Sequence, residues 1–518
     1  MQTVSPYFNQ LADGDIRPLS WGAQISFTKE FDDDVTFFSL DQSVLNGIDL
    51  LAPTDDNPIQ AWDYYEYQTF TERLLYISIE QSLEFPYSVV SAIADFQLNN
   101  YDKYFTPNSS SPIAYYILPK RPVRLLQGFA STTLPQFVGL TEGMPEISRT
   151  EATATFTAMD FLTWIYDMPI RETIAMRDVT TDEVLANIFS QFGLTPGQYD
   201  LAKGRNKIPF LFFEKDQQTA GDIIRPLMQA EMGMLWLGEQ GIIHFRPRLE
   251  QPTDPVYMFD HDNIISLETS EDDQIINHVI INAEPREIQD PQPVYSVTGA
   301  SGESVEIPAN SSSPIKLELD NPSINIIEPT VGLESGLSWI VPYNLDRVVV
   351  NTGVSVTGHA ELTNSYTIFV SNANNFPVVI SDILLWGEPA KIIGNTPLIY
   401  DAYEDSSVQK YEEKVLTIDN NFIQSATQAE SLALTILDQY SEYNDIIIIE
   451  VKGNPALQLS DIVEVDYEEY SGEYRIISKR NATDKSKFTQ VLTCRKYTPR
   501  QWFTLDQSVL NGSDVLAP

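Results

Sequence analysis

Residues 446–493 read IIIIEVKGNPALQLSDIVEVDYEEYSGEYRIISKRNATDKSKFTQVLT. Four short apolar runs, 446–451, 462–465, 474–477 and 488–493, are separated by connections rich in Gly, Asn, Pro and Ser. Runs of that length, bounded by turn residues, are strands rather than helices. The chain therefore finishes in a β meander. Just upstream, Ser425 and Gln428 open a helix with Ala429, Leu432, Ala433, Ile436, Leu437 and Tyr440 on one face.

Further toward the N-terminus, residues 290–408 are rich in Pro, Ser, Asn and Gly between short β runs such as Tyr366–Val370, which reads as an inserted β domain. Residues 171–250 hold the first clear helices. Thr180 and Glu183 form a capping box, Val184, Leu185, Ile188, Phe189 and Phe192 share a face, and Gly193 is placed to end the helix. A second helix spans about 218–231, where Pro226 demands a kink or a later start. Met234–Leu237, Gly238–Gly241 and Ile242–Phe245 read as strand, turn and strand. The segment 59–170 is mostly β: Ala152–Ala158 alternates small or apolar residues with Thr, and Ala114–Leu118 and Val123–Leu126 flank a Pro-Lys-Arg-Pro turn. Turn residues at that spacing predict a barrel or sandwich. The fold class is mainly β with a few helices.

The 518 residues carry 73 Asp and Glu against 32 Lys and Arg, a formal charge of −41. Such a chain lacks the cations that phosphate contacts need, so nucleic-acid affinity is not expected. One cysteine makes no internal bridge. No apolar run approaches the roughly 20 residues of a membrane helix. Nucleotide-binding, zinc-peptidase and serine-hydrolase motifs are absent. His244, His261, His278 and His359 are far apart in sequence and suggest no metal site, and Cys494 reads as a strand thiol, although Arg495 and Lys496 adjoin it. Acidic clusters at Asp32–Asp34, Asp260 with Asp262, and Glu271–Asp273 are what 73 carboxylates produce by coincidence. One basic run, from Arg475 through Lys479, Arg480, Lys485, Lys487, Arg495 and Lys496 to Arg500, follows an acidic one. If 462–465 pairs antiparallel with 474–477, opposite charges meet across the strands; the alternative is a basic face for an acidic partner.

A repeat frames the whole chain. FFSLDQSVLNGIDLLAP (37–53) and WFTLDQSVLNGSDVLAP (502–518) agree at 13 of 17 positions. The Asn-Gly pairs at 46–47 and 511–512 mark tight turns. A short element shown near both ends of one body reads as a docking arm used twice. Its candidate docking residues are Phe38, Leu40, Asp41, Val44, Leu45, Asn46, Gly47, Asp49 and Leu51, with Phe503, Leu505, Asp506, Val509, Leu510, Asn511, Gly512, Asp514 and Leu516 in the second copy.

The order of these segments resembles the tail hub (tail-tip or minor tail) proteins of long-tailed bacteriophages, a family related in fold to the baseplate hub of contractile tails. Ala94–Asn100 is similar to the family's strand with an LxN opening, and Arg121-Pro122-Val123 and Phe137-Val138-Gly139 also fit. Thr219–Arg248, a helix followed by a G-x-I-x-F-R-P-R hairpin, looks like the hub's small helical domain. Ile276-Asn277-His278-Val279 resembles the strand that leads into the second barrel. Gly453–Val463 and Gly472–Ile477 are similar to the family's "GNP-LQLGD-V" and "G-Y-I" ending, with Ser460 where Gly is common.

The resemblance implies two related β-barrels of tail-hub type, a small helical segment and an inserted β domain. The expected division is an N-terminal arm (1–58), a first barrel (59–170), a helix-containing middle domain (171–255), a second barrel (256–290 with 409–500), the insertion (291–408) and a C-terminal arm (501–518). It further implies a structural virion protein at the distal end of the phage tail, made in the host cytoplasm. As a homotrimer it would close the tail tube, adapt sixfold to threefold symmetry and line part of the DNA ejection channel. Implied partners are the distal tail protein ring and tail tube, the tape-measure protein and tail fibre or tip proteins, with contact to the host envelope. DNA would pass without specific binding, which an acidic wall favours. No enzyme activity, cofactor or metal is implied; the chain ends soon after the hub ending, so the peptidase or lysozyme-like domain of some relatives is not expected. Two alternatives are a receptor- or glycan-binding tail protein, with Trp339 and Trp386 of the insertion stacking on sugars rather than filling its core, and a wall-degrading tail enzyme.

Overall fold

A computed structural model describes residues 1–14, 17–28, 66–83, 88–172, 174–213, 218–248, 254–271, 275–297, 304–319, 321–332, 336–359, 365–392, 398–443, 445–484 and 487–497. A short helix, α1 (Pro6–Asp13), is capped by the Ser5 hydroxyl, which accepts from the Phe8 N–H. The first β unit uses strands β1 (Leu19–Ile25), β2 (Gln68–Thr69), β3 (Leu74–Ser82), β5 (Ser91–Asn99), β6 (Pro122–Phe129), β7 (Thr132–Thr141) and β9 (Thr153–Asp160). Two short strands accompany them: β4 (Ser88–Val89) joins another sheet and β8 (Glu146–Ser148) flanks β9. The spatial order is β3-β5-β9-β7-β6-β1-β2. The two ends of that path, β2 and β3, are joined only by a 3₁₀ turn at Thr71–Arg73, so the sheet curls into a barrel with a corner. Alternation drives the curl. Ala92, Ala94, Phe96 and Leu98 of β5 are buried, and the intervening residues are more exposed. On the next strand Ala154, Phe156 and Ala158 point inward; Phe96 and Phe156 stack with centroids 5.2 Å apart. The run Ala114–Tyr116, expected as a strand, is a 3₁₀ turn that leaves Tyr115 exposed.

The middle of the chain holds α2 (Phe161–Tyr166), α3 (Thr181–Gln191) and α4 (Ala220–Glu231). Strands β10 (Ile174–Thr180) and β12 (Lys207–Phe213) pair, and β11 (Tyr199–Leu201), β13 (Met234–Leu237) and β14 (Ile243–Arg246) form a small sheet with β4. The Glu183 carboxylate accepts from the Thr180 N–H at 3.0 Å, and Gly193 takes φ +78°. Pro226 sits inside α4 rather than delaying it. Proline has no N–H to offer the carbonyl of Asp222, four residues earlier on the exposed first turn.

Next come β15 (Tyr257–Phe259), β16 (Ile264–Glu271) and β17 (His278–Ala283). The chain then departs into ten strands, β18–β27, between Arg286 and Ile392. It leaves along β18 (Arg286–Ile288) and returns along β27 (Val378–Ile392), which pair antiparallel. The inserted unit has its own core, including Ile307, Leu317, Ile340, Ile368, Val370 and Leu385. After it, β28 (Leu398–Tyr403) and β29 (Val415–Asn420) enclose β17 in a three-stranded sheet, with α5 (Asp405–Tyr411) between them in sequence and α6 (Ala426–Tyr440) following. Ile276–Val279 thus leads into this separate sheet rather than into the second barrel. The reason is burial: Val279, Ile281 and Ala283 share a core with Leu432, Ala433 and Ile436 of α6 and with α3 and α4.

The meander completes the second barrel with β30 (Asp445–Val451), β31 (Ile462–Tyr467), β32 (Tyr470–Asp484) and β33 (Phe488–Lys496). The order is β16-β30-β33-β32, with β31 between β32 and β15. The path ends, β15 and β16, are consecutive across a four-residue corner at 260–263. Ile447, Ile449, Val451, Val463, Val465 and Leu492 fill the core.

The two barrels have one topology. Taking the main strands of each in chain order, β3, β5, β6, β7, β9 and β16, β30, β31, β32, β33, the spatial order in both is first, second, fifth, fourth, third, then a strand that precedes the first in the chain. Both first strands carry a bulge at the same place, between Leu74 and Tyr76 in β3 and between Ile264 and Ser266 in β16. They differ at the closing strand, since β1 runs antiparallel to β6 and β15 parallel to β31. A ladder from Tyr76↔Asp484 to Ser82↔Ser478 joins β3 to β32, so both barrels belong to one 14-stranded sheet.

Candidate functional site

Among the described residues the notable construction is the junction between barrels, built around the loop 452–461. Gly453 has φ +86°, and a Cβ there would lie 2.9 Å from the Phe488 ring, so only glycine fits. The Asn454 side chain accepts from the Ala456 N–H at 3.0 Å and shapes the turn that follows. Ser460, where the resembled family has Gly, adopts φ +69°, which explains that preference.

Five carbonyls of the loop accept from other parts of the chain. Lys452 and Gly453 accept from the Arg17 guanidinium, which also lies over the Phe129 ring at 4.7 Å. Pro455 accepts from Gln136 Nε2 at 2.7 Å, Ala456 from the Gln2 N–H at 2.7 Å, and Leu457 from Lys479 Nζ at 3.0 Å. Gln136 belongs to β7 of the first barrel, so the loop of one barrel is read by a strand of the other. Asn481 Nδ2 donates to Gln136 Oε1 at 3.0 Å, Gln490 Nε2 to Asn481 Oδ1 at 2.8 Å, and Gln127 Nε2 to Thr483 Oγ1 at 2.6 Å. These buried amides form a polar seam, in which losing a partner leaves a buried group unsatisfied.

The seam includes a buried ion pair. Lys479 (1% exposed) meets Glu239 (3% exposed) at 2.8 Å. Glu239 comes from the β13–β14 turn of the middle domain and also accepts from Gln458 Nε2 at 2.7 Å. Burial alone would raise the Glu239 carboxyl, but the Lys479 charge and these hydrogen bonds hold it below the usual carboxylate range. Three units are therefore fastened at one point.

The sequence-stated candidates fall around this junction unevenly. Both copies of the repeated element, 37–53 and 502–518, lie outside the described residues. Ile25 of β1 pairs with Gln68 of β2, and the second copy follows β33 in sequence. The basic run does not pair with the acidic run as expected. β31 and β32 do pair, but the register sets Glu464 opposite Glu473 and Ile462 opposite Arg475. The lysines find carboxylates elsewhere: Lys496 meets Asp445 at 3.2 Å, Lys487 meets Glu450 at 3.5 Å, and Lys479 meets Glu239.

Cys494 is buried in the second core, and burial pushes its thiol far up despite the neighbouring cations. His244 stacks on Trp236 at 5.1 Å, and the His261 ring lies 4.4 Å from that of Tyr467. His278 is held between Asp401 (2.7 Å) and Glu413 (2.8 Å). Among the described residues no cluster of three or more His, Cys, Asp or Glu is arranged to hold a metal. The Asp260 carboxylate accepts from the Asp262 N–H at 2.9 Å, a turn contact. No described helix is long and apolar enough to cross a membrane. Trp339 and Trp386 stand outside the insertion's buried core, half-buried, with Trp339 opposite Leu384 on the neighbouring strand.

Sequence reasoning missed Glu239, read only as part of a Gly-flanked turn, and the inward position of Lys479. A bulge between Ile476 and Ser478 reverses the alternation there, so counting from Ile476 puts Lys479 on the wrong side.

No protein-family model and no curated protein sequence matches the chain. Solved structures similar to it include phage tail proteins. One is a tail protein of Neisseria meningitidis, at 8% identity over 83% of this chain and 94% of that one, with a TM-score of 0.44. Another is the 43 kDa tail protein of prophage MuSo2 from Shewanella oneidensis, at 10% identity over 83% and 96%, with a TM-score of 0.43. A prophage tail protein of Listeria monocytogenes matches at 9% identity over 83% and 92%, with a TM-score of 0.40.

Proposed function

We propose that this chain is a structural component of a phage tail, the hub at the tail's distal end. The observation that carries the reading is the doubled barrel: one topology twice in one chain, joined side by side through β3 and β32. A trimer of such chains presents six barrels of one kind, which meets a sixfold tube while keeping threefold symmetry below. The sequence resemblance at Gly453–Val463 and Gly472–Ile477 supports the same reading, because those residues build the junction. The ring closes the tail tube, and its bore forms part of the ejection channel, where an acidic wall lets DNA slide past.

In this reading the repeated elements 37–53 and 502–518 are matched arms, six per trimer, for the distal tail protein ring; the tape-measure protein and the tail fibre or tip proteins contact the same hub. Mass photometry and class averages of the purified full chain test it. A three-copy ring with a bore is expected, and a monomer would refute it. Removing 502–518 should detach the distal ring from assembled tails; intact tips would sink the arm assignment. The half-buried Trp339 and Trp386 favour a second role for the insertion in glycan contact, which binding of the full chain to a glycan array would reveal.

A further inference from the structure

The three-stranded sheet β28-β17-β29 has one covered face and one open one. Val279, Ile281 and Ala283 of β17, with Leu398, Tyr400 and Ala402 of β28, pack on the core shared with α6. The register fixes what the other face presents. His278 stands between Tyr403 and Val415, Ile280 between Asp401 and Thr417, and Asn282 between Ile399 and Asp419. Four of those nine positions are apolar. Ile399 is 65% exposed, Tyr403 60% and Val415 50%. Among the described residues β28 and β29 each pair with β17 alone, so both edges of the sheet are also free. Such a surface is one that soluble proteins cover or blunt. Its carboxylates are already engaged, Asp401 with His278 and Asp419 with the Asn282 amide, so apolar contact rather than charge marks the occupant.

The chain itself passes this face on its way out of the second barrel. The Tyr497 N–H donates to the Glu473 carbonyl at 2.8 Å, and the Arg475 guanidinium lies over the Tyr497 ring at 5.3 Å. Arg475 pairs with Arg495 across β32 and β33, and Arg495 lies over the Tyr440 ring at 5.1 Å. The Tyr440 carbonyl in turn accepts from the Ile276 N–H at 2.9 Å, two residues before His278. The chain therefore leaves the barrel beside the Tyr403–His278–Val415 row. Residues 498–518 follow, with seven large apolar side chains, among them Trp502, Phe503, Leu505, Val509 and Leu510, against three charged ones. The eight steps from Tyr497 to Leu505 can span about 28 Å, more than the length of a six-residue strand.

We propose that residues 498–518 dock on the open face of this sheet in the same chain, laying their apolar side chains over Ile399, Tyr403, Ile280 and Val415. The second copy of the repeat is then held against its own chain until another surface displaces it. Calling this a stored docking arm rests on the arm reading above; the contact itself does not.

The test uses thiol labelling of the full chain. The native Cys494 is buried and stays silent. Ile399→Cys and, separately, Val415→Cys place a thiol on the face at exposed positions, and Tyr115→Cys on the first barrel, 88% exposed, is the control. Maleimide should label the two face thiols about tenfold or more slowly in the full chain than in a chain lacking 498–518, as for a site open a tenth of the time or less. The control rate should not change. A bismaleimide should join Ile399→Cys to Leu505→Cys within one chain, at a yield independent of dilution. Equal labelling rates with and without 498–518 overturn the proposal. A rate that stays slow after truncation also overturns it, because something else then covers the face. Protection that fades on dilution puts the segment of a second copy there and overturns the same-chain assignment. Ring attachment in tails built from the truncated chain is read separately, so the arm reading can fail while this contact stands, and the reverse.

Discussion

Replacing Lys479 by methionine probes the junction at its most charged point. The substitution keeps the stem and removes the ammonium. Lys479 and Glu239 are 2.8 Å apart and both almost fully buried. With an effective dielectric constant of about 20 their attraction is about 6 kcal/mol before desolvation is subtracted. Removing one partner leaves the other charge buried with only Gln458 beside it among the contacts described, and such changes cost about 3–5 kcal/mol. Removing both charges, as Glu239→Leu with Lys479→Met, should recover most of that loss. About 1–2 kcal/mol should remain, for the hydrogen bonds to Gln458 and the Leu457 carbonyl. A chain with several separate cores does not unfold as one unit, so a single melting temperature is the wrong observable. Native-state hydrogen exchange at amides 234–246 and 453–463 reads the junction directly. The reasoning fails if Lys479→Met lowers protection there by less than about 1 kcal/mol, or if the double variant is no better than the single one.

Ser460→Gly should stabilise the second barrel by about 0.5–1 kcal/mol by relieving its left-handed backbone, and Gly453→Ala should cost about 1–3 kcal/mol through φ and the Phe488 contact; denaturant midpoints of that barrel will tell. Burial pushes the Asp160 carboxyl up to about 6, against hydrogen bonds from Thr163 and Ala92. Its folded value lies above its unfolded one, so its stabilising contribution is complete below about pH 4 and is lost as pH rises to about 6, a change near 3 kcal/mol. The stability difference between wild type and Asp160→Asn should therefore fall across that window, and a constant difference would count against it. Burial lowers the His278 pKa, but bonds to Asp401 and Glu413 more than offset this and hold it above 6.5. Its contribution is full below 6.5 and disappears as pH passes the raised value; NMR titration should give a midpoint above 6.5 that Asp401→Asn and Glu413→Gln each lower.

Periodicity made the barrel strands legible. The alternation of β5 and β9 and the apolar runs of the closing meander are local signals, each fixed by a single strand's two faces. The capping pair Thr180–Glu183 and the helix end at Gly193 were equally local. What escaped depends on partners distant in sequence. β17 looks like any barrel strand until α6, some 150 residues later, supplies its cover (on the order of the separations that make contacts non-local). Lys479 and Glu239 are 240 positions apart, and neither has a neighbour in sequence that announces the pair. The loop 452–461 stood out as a motif before its role was known, because its glycine and its Asn-Pro step are turn chemistry. Which strand receives it is a matter of tertiary placement alone.

The ribbon of β18 and β27 has a consequence for how such chains diversify. The inserted unit leaves and returns through two paired strands, so its two attachment points are one strand spacing apart, about 4.8 Å. Its core shares no residue with either barrel. A module with adjacent termini spliced at 286–392 would leave the barrel cores and the seam untouched. The paired barrels then act as a chassis, and what can be attached to them is bounded by what two strands can carry.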